Sequence, residues 1–139
     1  MIYKNLTEQQ LQQLAAQIAK TVKPGSIVYL QGPLGAGKTT FVRAFLRALG
    51  CQDHIKSPTF TMVESYEIDH KPIYHFDFYR LHDISELEHI GLDDYFTQDS
   101  ICLIEWPEKV EAALPSATLC CTISMAEKEN CRDVTIIKE

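Results

Sequence analysis

The chain has 139 residues, of which 45% are hydrophobic and 23% are charged, and its net charge is −6. This length and composition exclude a disordered chain and predict a single globular domain, residues 1–139, with a core of its own. The negative charge disfavours direct binding to a nucleic acid, so contact with RNA would run through a partner.

The first predicted elements are a helix and a strand. Residues Leu6 to Val22 repeat apolar side chains at helical spacing, and Thr7 followed by Gln10 forms a capping box that marks the helix start. Pro24-Gly25 ends this helix, and the apolar run Ser26 to Leu30 predicts a strand. That strand leads directly into a glycine-rich segment.

The glycine-rich segment Gly32 to Thr39 matches the phosphate-binding pattern G-x-x-x-x-G-K-[ST]. A predicted strand precedes it, and Thr40 to Leu49 predicts the helix that such a loop requires after it. In such a loop the backbone N–H groups surround the phosphates, Lys38 reaches the β- and γ-phosphates, and the Thr39 hydroxyl binds Mg²⁺. The sequence therefore predicts a nucleotide phosphate site here.

The middle of the chain predicts a hairpin and two short helices. Residues Thr59 to Ile68 and Ile73 to Tyr79 have strand composition, and the turn residues Asp69 to Pro72 separate them. Asp83 to Gly91 and Leu92 to Phe96 then predict short helices. We expect the hairpin to be antiparallel and to follow the first strand–helix unit.

The last third predicts a buried strand at Ile101 to Glu105, a helical segment at Pro107 to Ala113, and a hairpin of Leu119 to Met125 with Val134 to Ile137. Strands and helices in this order predict an α/β protein. The expected architecture is a three-layer fold of the P-loop NTPase type, with a mixed, partly antiparallel central sheet flanked by helices.

Glu105 follows four apolar residues and ends a predicted buried strand. In α/β nucleotide-binding proteins this is a usual position for the carboxylate near the metal. Glu105 would hold Mg²⁺ directly or through a water, or it would orient the attacking water. The alternative is a strand-end glutamate without a function.

The aromatic segment His75 to Arg80 carries a second acid, Asp77. Because side chains alternate along a strand, His75, Asp77 and Tyr79 share one face. An unpaired acid is costly to bury, so Asp77 is either a water-orienting or metal-proximal acid or the partner of a nearby base. We expect His75 to be a hydrogen-bonded structural histidine and not a catalyst.

Two further residues are candidates through their positions. Thr59 follows Ser57-Pro58 after a polar loop. In a segment that orders around a γ-phosphate it would supply the hydroxyl that senses this group, although turn chemistry alone also explains Ser-Pro. Trp106, the only tryptophan, directly follows Glu105 and is either a packing residue or a natural reporter of nucleotide binding.

The cysteines and the absence of export signals indicate a compartment. The five cysteines are odd in number, form no C-x-x-C pair and lie mostly in apolar runs, which predicts buried free thiols in a reducing cytosol. The sequence has no recognisable signal peptide and no apolar run near 18 residues. We therefore expect a cytoplasmic protein that makes no membrane contact.

Four motifs occur in order along about residues 6 to 125: Leu34 to Phe41; Ser57 to Thr61 with Val63-Glu64; His75 to Asp77 with Tyr79 to Leu81; and Glu105 to Pro107. Together they closely resemble the TsaE family of bacterial ATPases, which serves the biosynthesis of threonylcarbamoyladenosine in tRNA. The first motif is shared by many unrelated ATPases, whereas the other three in this order are much more specific.

The resemblance implies a small Mg²⁺-dependent P-loop ATPase. Such a protein joins a TsaD-like threonylcarbamoyl transferase and its TsaB-like paralogue, and it hydrolyses ATP to support turnover on tRNA. It is expected to hydrolyse ATP weakly alone, to be stimulated by the partners, and to meet tRNA only through the complex. It does not itself transfer the threonylcarbamoyl group.

The resemblance also assigns residues. Thr39 and Glu105 would bind Mg²⁺, and Thr59 and Asp77 resemble the switch and catalytic-support positions beside Lys38. Nucleotide binding would involve the loop and the first helical turn: Leu34, Gly35, Ala36, Gly37, Lys38, Thr39 and Thr40.

Weaker assignments concern the two ends of the chain. The resemblance suggests an N-terminal contact near Thr7 or Glu8 and one from Glu108 on the nucleoside side. The segment Glu129 to Arg132 departs from the glycine-arginine turn of many relatives. Arg132 is the best substitute for an adenine or partner contact there.

Two other functions fit the phosphate loop. The first is a small-molecule or nucleotide kinase, but no arginine-rich lid is visible, since Arg80 and Arg132 are the only arginines outside the helix after the loop. The second is a non-catalytic adaptor that senses nucleotide. A guanine-specific switch is disfavoured because the sequence contains no N-K-x-D.

Overall fold

The structure is a computed structural model that describes all 139 residues. The strands and α-helices are, in chain order, β1 (Ile2–Leu6), α1 (Glu8–Ala19), β2 (Ile27–Gln31), α2 (Lys38–Leu49), β3 (Val63–Ile68), β4 (Lys71–Asp77), β5 (Ile101–Glu105), β6 (Leu119–Met125) and β7 (Arg132–Lys138). Short 3-10 turns lie at Ile84–His89, Leu92–Tyr95, Pro107–Lys109 and Glu111–Ala113.

The seven strands form one mixed sheet in the order β1-β7-β6-β2-β5-β4-β3. Its centre is parallel, because β2 pairs with β5 and β6, and β5 also pairs with β4. The outer pairs β3–β4, β6–β7 and β1–β7 are antiparallel. The mixed, partly antiparallel sheet is thereby confirmed, and the carboxyl ends of β2, β4 and β5 meet at one edge, where α/β proteins bind their ligands.

The sheet has a different cover on each face. Helices α1 and α2 pack on one face, around a core that includes Leu11, Phe41 and Phe45. The opposite face buries Phe76 and Phe78 beneath the connections that carry the 3-10 turns. The three layers are therefore α-helices, sheet, and a layer of short helical turns, because none of the predicted helices after β4 extends beyond 3-10 geometry.

One predicted strand is shorter than expected at its start. Residues 59–62 form a turn, and strand β3 begins only at Val63. The Met62 N–H donates to the Pro58 carbonyl (2.8 Å), and Met62 has a positive φ of 65°, which interrupts an extended backbone. We call residues Pro58–Met62 the Thr59 turn.

Other boundaries also differ from the sequence-based expectation. Strand β1 was not predicted, because this segment pairs only with β7 at the sheet edge and is largely exposed, so it lacks a clear apolar alternation. The helix predicted from Leu6 to Val22 is limited to Glu8–Ala19, although its capping box forms as expected between Thr7 and Gln10. The predicted segment Pro107 to Ala113 divides into two 3-10 turns at Val110.

The cysteines are all free, and four of the five are buried. Burial raises the pKa of Cys102 to about 11 and that of Cys121 to about 12. These two thiols are therefore protonated at neutral pH and behave as small apolar residues. None of the helices combines the length and apolar character that crossing a bilayer requires.

Candidate functional site

The phosphate loop, Gly32–Thr39, joins the carboxyl end of β2 to the first turn of α2. Gly37 is the N-cap of α2 with φ 110°, a backbone conformation that favours glycine. A Cβ on Gly32 would lie 2.2 Å from the Ile123 carbonyl oxygen, so only glycine fits there. The N–H groups of Gly35 and Gly37 donate to no backbone carbonyl. A loop with free N–H groups at a helix N-terminus is suited to hold phosphate.

Lys38 begins α2 and folds back over the loop. Its Nζ donates to the carbonyl oxygens of Gly32 and Pro33, and it lies 4.0 Å from the centre of the Trp106 ring. Burial lowers the pKa of Lys38, while the carboxylates of Glu105, Glu108 and Asp77 oppose this shift. Neutral carbonyl oxygens thus hold the ammonium at the loop. A phosphate oxygen carries a negative charge and would bind the ammonium more strongly than they do.

Thr39 and Glu105 face each other across the sheet edge. Strands β2 and β5 are paired in parallel with Leu30 opposite Glu105, so the acid lies next to the start of the loop. The Thr39 Oγ1 is 3.4 Å from both carboxylate oxygens of Glu105. A hydroxyl and a carboxylate are the hard oxygen ligands that Mg²⁺ takes, usually together with phosphate oxygens and water. The two side chains therefore fit a magnesium ion shared with a nucleotide.

Glu105 is held from the other side by His75. The His75 Nε2 is 2.5 Å from a Glu105 carboxylate oxygen, and both residues are buried. The other ring nitrogen, Nδ1, is buried without a hydrogen-bond partner. A proton on Nε2 satisfies the carboxylate and leaves an acceptor at Nδ1 instead of an unpaired donor. His75 is therefore hydrogen-bonded, as expected, and it orients the carboxylate of Glu105.

Asp77 is the second buried carboxylate of the site. It ends β4 directly opposite Glu105 on β5, and its Oδ1 accepts from the Tyr79 N–H at 2.9 Å. Burial raises the pKa of Asp77, as does the nearby charge of Glu105, whereas the Tyr79 N–H lowers it. Two carboxylates in adjacent register thus form the acidic part of the site, at the carboxyl ends of β4 and β5.

A cavity of about 420 Å³ contains these groups. The Thr59 turn contributes Thr59, whose hydroxyl is 2.7 Å from that of Ser57. The cavity is lined by Leu34, Gly35, Ala36, Gly37, Lys38, Thr39, Thr40, Thr59, Asp77, Tyr79, Arg80, Glu105 and Trp106. The structure thus brings together the catalytic and metal-binding candidates predicted from the sequence, and it adds Tyr79, Arg80 and Trp106 to the lining.

The candidates at the chain ends are separated by the structure. Glu8 lines a second cavity of about 340 Å³ on the other side of the loop, next to Gly35–Gly37, Thr40 and Arg132. Glu108 lines neither cavity and is exposed, although its charge raises the pKa of Lys38. Glu108 thus lies outside both linings, and its contact with a nucleoside stays a prediction.

Arg132 contacts the backbone of the phosphate loop, which differs from the adenine or partner contact that the sequence suggested for it. Its guanidinium donates to the Ala36 carbonyl at 2.9 Å and to the Gly35 carbonyl at 3.1 Å. It also donates to the carbonyl of Cys131 at 3.0 Å. These bonds hold the backbone of the phosphate loop at Gly35 and Ala36. The only sequence signal for this contact was the departure from the usual glycine-arginine turn.

The comparisons with known proteins concern the family of the chain. The sequence matches the family described as "Threonylcarbamoyl adenosine biosynthesis protein TsaE" over residues 6–134. The chain belongs to the TsaE family.

Individual relatives support this family membership. The chain is 50% identical over 113 residues to a tRNA threonylcarbamoyladenosine biosynthesis protein TsaE from Haemophilus influenzae, covering 81% of this chain and 70% of the relative. It is 38% identical over 133 residues to the TsaE protein of Bacillus subtilis, covering 96% and 82%. The crystal structure of YdiB from B. subtilis superposes with a TM-score of 0.80 at 33% identity, covering 99% of this chain and 84% of that one.

Proposed function

We propose that this chain is a Mg²⁺-dependent ATP hydrolase that acts as an accessory subunit in the modification of tRNA with threonylcarbamoyladenosine. Its membership of the TsaE family supports the assignment to threonylcarbamoyladenosine biosynthesis. The observation that carries the hydrolase activity is the cavity in which Lys38 and Thr39 of the phosphate loop face the carboxylates of Asp77 and Glu105.

The loop side of the cavity would hold the nucleotide. The free N–H groups of the loop and the start of α2 provide positive dipole around the phosphates. Lys38 would leave the Gly32 and Pro33 carbonyls and bind the β- and γ-phosphates. Thr39 and Glu105 would hold Mg²⁺, which neutralises phosphate charge when bound.

The acidic side of the cavity would position the water. His75 fixes the Glu105 carboxylate, and the Tyr79 N–H fixes that of Asp77. Glu105 is the carboxylate next to Thr39, so metal binding is its main role. Asp77 is then the acid available to accept a hydrogen bond from the attacking water, and Thr59 would contact the γ-phosphate.

The partners proposed for this chain are a TsaD-like threonylcarbamoyl transferase and a TsaB-like paralogue. The chain would approach tRNA only through this complex, because its net charge of −6 opposes direct contact with a phosphate backbone. The absence of a membrane-crossing helix and the buried free thiols are consistent with a cytoplasmic location.

The test is ATP hydrolysis by the purified chain, alone and with the two partners, with and without Mg²⁺. We expect slow hydrolysis by the chain alone and a clear increase with both partners. Lys38→Ala should abolish the activity, while Lys20→Ala, which removes an equal charge from the exposed end of α1, serves as the matched control. Rapid turnover that is independent of the partners would refute the accessory role.

The same assay distinguishes the alternatives. A kinase would transfer the phosphate to a nucleoside or sugar, so a labelled γ-phosphate would appear in an organic product and not as inorganic phosphate. A pure nucleotide sensor would retain its function in cells after Glu105→Ala. We favour hydrolysis because Lys38 and Arg80 are the only cationic side chains lining the cavity, fewer than a phosphate-transferring lid provides.

A further inference from the structure

The charges of the cavity are unbalanced for a nucleoside triphosphate. Its lining holds two carboxylates, Asp77 and Glu105, and two cations, Lys38 and Arg80. Lys38 belongs to the phosphate loop and lies where it would bind the β- and γ-phosphates. During hydrolysis, negative charge is spread over the γ-phosphoryl oxygens and the leaving oxygen, and a second cation there lowers the barrier. Arg80 is the one charged lining residue that has no function in the site described so far.

The other arginines of the chain are engaged elsewhere. Arg47 on α2 donates to the Cys51 carbonyl at 2.8 Å, and Arg43 is exposed on the same helix. Arg132 is bound to the carbonyls of Gly35 and Ala36 behind the loop. Arg80 forms no salt bridge and no hydrogen bond. It is therefore the only arginine that both lines the cavity and is free to contact a phosphate.

Arg80 rests against an exposed aromatic ring. Its guanidinium carbon lies 4.3 Å from the centre of the Phe60 ring, and Phe60 is 80% exposed. The guanidinium therefore contacts the ring but leaves most of its surface open to solvent. Phe60 directly follows Thr59 in the Thr59 turn, so a movement of Thr59 toward a γ-phosphate also moves the ring on which Arg80 rests.

We propose that Arg80 is an arginine finger supplied within the chain, held on Phe60 until a nucleoside triphosphate binds and then transferred to the γ-phosphate. This inference rests on the proposed ATP hydrolysis and assigns a further catalytic residue to it. In the reaction, water forms the new bond to the γ-phosphorus. The bond to the β–γ bridging oxygen breaks, its electron pair stays on ADP, and the proton of the water is released to solvent. Arg80 stabilises the charge on the γ-phosphoryl oxygens during this exchange.

The resting contact gives a physical reason for weak hydrolysis by the isolated chain. A guanidinium is held only weakly on an exposed ring, which keeps Arg80 at Phe60 for much of the time without trapping it there. A partner that covers or displaces Phe60 would release Arg80. The Thr59 turn thereby links partner binding to the catalytic cation.

The first measurement compares the effect of Arg80 on hydrolysis and on the binding of a transition-state mimic with its effect on the binding of ADP. Arg80→Ala, Arg80→Lys and the control Arg43→Ala are compared with the wild type in ATP hydrolysis with both partners. The same proteins are titrated with ADP alone and with ADP plus aluminium fluoride, a mimic of the γ-phosphoryl group in transfer. We expect Arg80→Ala to lose at least about 100-fold in hydrolysis and to lose the affinity gain from aluminium fluoride, with ADP affinity unchanged.

The lysine variant and the control sharpen this result. Arg80→Lys keeps the charge but not the planar fork that matches phosphate, so we expect a partial loss. Arg43→Ala should behave as the wild type in all titrations. An equal affinity gain from aluminium fluoride in Arg80→Ala and in the wild type overturns the proposal. So does a variant that keeps the basal rate of the isolated chain and loses only the stimulation, since Arg80 would then act in docking.

The second measurement tests the resting position. Phe60→Ala removes the ring, so hydrolysis by the isolated chain should rise about 2–5-fold, the factor that a contact of 0.5–1 kcal/mol allows. An unchanged or lower rate would show that Phe60 does not hold Arg80 back. If the wild-type chain hydrolyses no ATP with its partners, the proposed function itself is wrong and the role of Arg80 falls with it. Full activity of Arg80→Ala beside an active wild type overturns only the role of Arg80.

Discussion

The two sides of the nucleotide cavity are built differently. The phosphate loop is fixed by packing and by long-range hydrogen bonds, with Gly32 against the Ile123 carbonyl and Arg132 bound to the Gly35 and Ala36 carbonyls. The Thr59 turn is held by the Met62–Pro58 hydrogen bond and by one bond from the Asp77 N–H to the Met62 carbonyl, and it carries the largely exposed Phe60. The first side is preformed, whereas the second has the few contacts expected of a segment that responds to a ligand.

This difference separates two tasks. A rigid loop would bind the phosphates common to ATP and ADP with its backbone already in place, so that only Lys38 exchanges its partners. A loosely held turn distinguishes the two nucleotides, because only ATP supplies the γ-phosphate to which it would bind. We therefore expect substitutions on the loop side to change stability and the binding of both nucleotides. Substitutions on the turn side should change hydrolysis and the response to the γ-phosphate.

The largest effect is expected for Lys38→Ala. Removing the ammonium eliminates the charge that serves both phosphates, so ATP hydrolysis should fall on the order of 10³-fold, and the affinity for ADP should fall as well. Titration calorimetry with ADP and the hydrolysis assay measure the two losses. Hydrolysis that survives with ADP affinity intact would place the phosphates away from this loop.

Two glycines of the same loop provide a matched pair. Gly32→Ala places a Cβ 2.2 Å from the Ile123 carbonyl oxygen, so the free energy of unfolding should fall by roughly 3 kcal/mol or more. At Gly35, with φ 79°, the Cβ meets nothing within 4 Å. Its alanine variant should lose only about 1–2 kcal/mol but bind nucleotide poorly, because the Cβ lies where phosphate approaches. Denaturant unfolding distinguishes the two, and equal losses would contradict this account.

Asp77→Asn tests the acidic side and has a pH signature. We expect hydrolysis to fall about 100-fold, with ADP affinity maintained. Because burial raises the pKa of Asp77 above 3.8, the folded state holds that proton more tightly than the unfolded state, and ionisation above this range costs stability. The asparagine variant should therefore unfold at higher temperature than the wild type at pH 7.

The pH profile provides the control for that prediction. The advantage of Asp77→Asn should shrink as the pH falls toward 3.8 and disappear below it, where the wild-type carboxyl is neutral in both states. Melting curves of the variant and the wild type between pH 4 and 7 measure this difference in stability. If the variant is less stable than the wild type at pH 7, the contacts of the ionised carboxylate in the folded state outweigh the cost of burying it.

A smaller effect is expected for Arg132→Ala. The variant loses two hydrogen bonds from a charged donor to the loop carbonyls. Because these bonds only pre-order the loop, we expect ADP and ATP affinities to weaken together by about 10-fold, which corresponds to 1.4 kcal/mol. Calorimetry with each nucleotide checks this, with Lys128→Ala as a control in the nearby exposed turn. A loss restricted to ATP would move Arg132 to the γ-phosphate side.

The loop, its flanking elements and Glu105 followed from the sequence because each depends on local spacing. The pattern from Gly32 to Thr39 requires particular residues within eight positions, and an acid after four apolar residues marks a strand end in any α/β sheet. Alternation along a strand likewise placed His75 and Asp77 on one face. These expectations hold in the structure, since β4 and β5 bring both acids to the same sheet edge.

The Thr59 turn was harder to predict. Its residues have strand composition and continue directly into β3, and nothing local to the sequence indicates the positive φ of Met62. Strand β1 was missed for a related reason, because an exposed edge strand takes its conformation from its neighbour β7 more than from its own residues.

By itself, the sequence determined a phosphate loop between a strand and a helix, an acid at a neighbouring strand end, and membership of a family with this combination. Only the tertiary structure decided which distant groups complete the site. The contacts of Arg132 with Gly35 and Ala36 join residues 97 and 96 positions apart, and His75 reaches Glu105 across 30. Such contacts depend on the order in which strands assemble in the sheet. Local spacing does not encode that order, so the resting place of Arg80 became visible only in the folded chain.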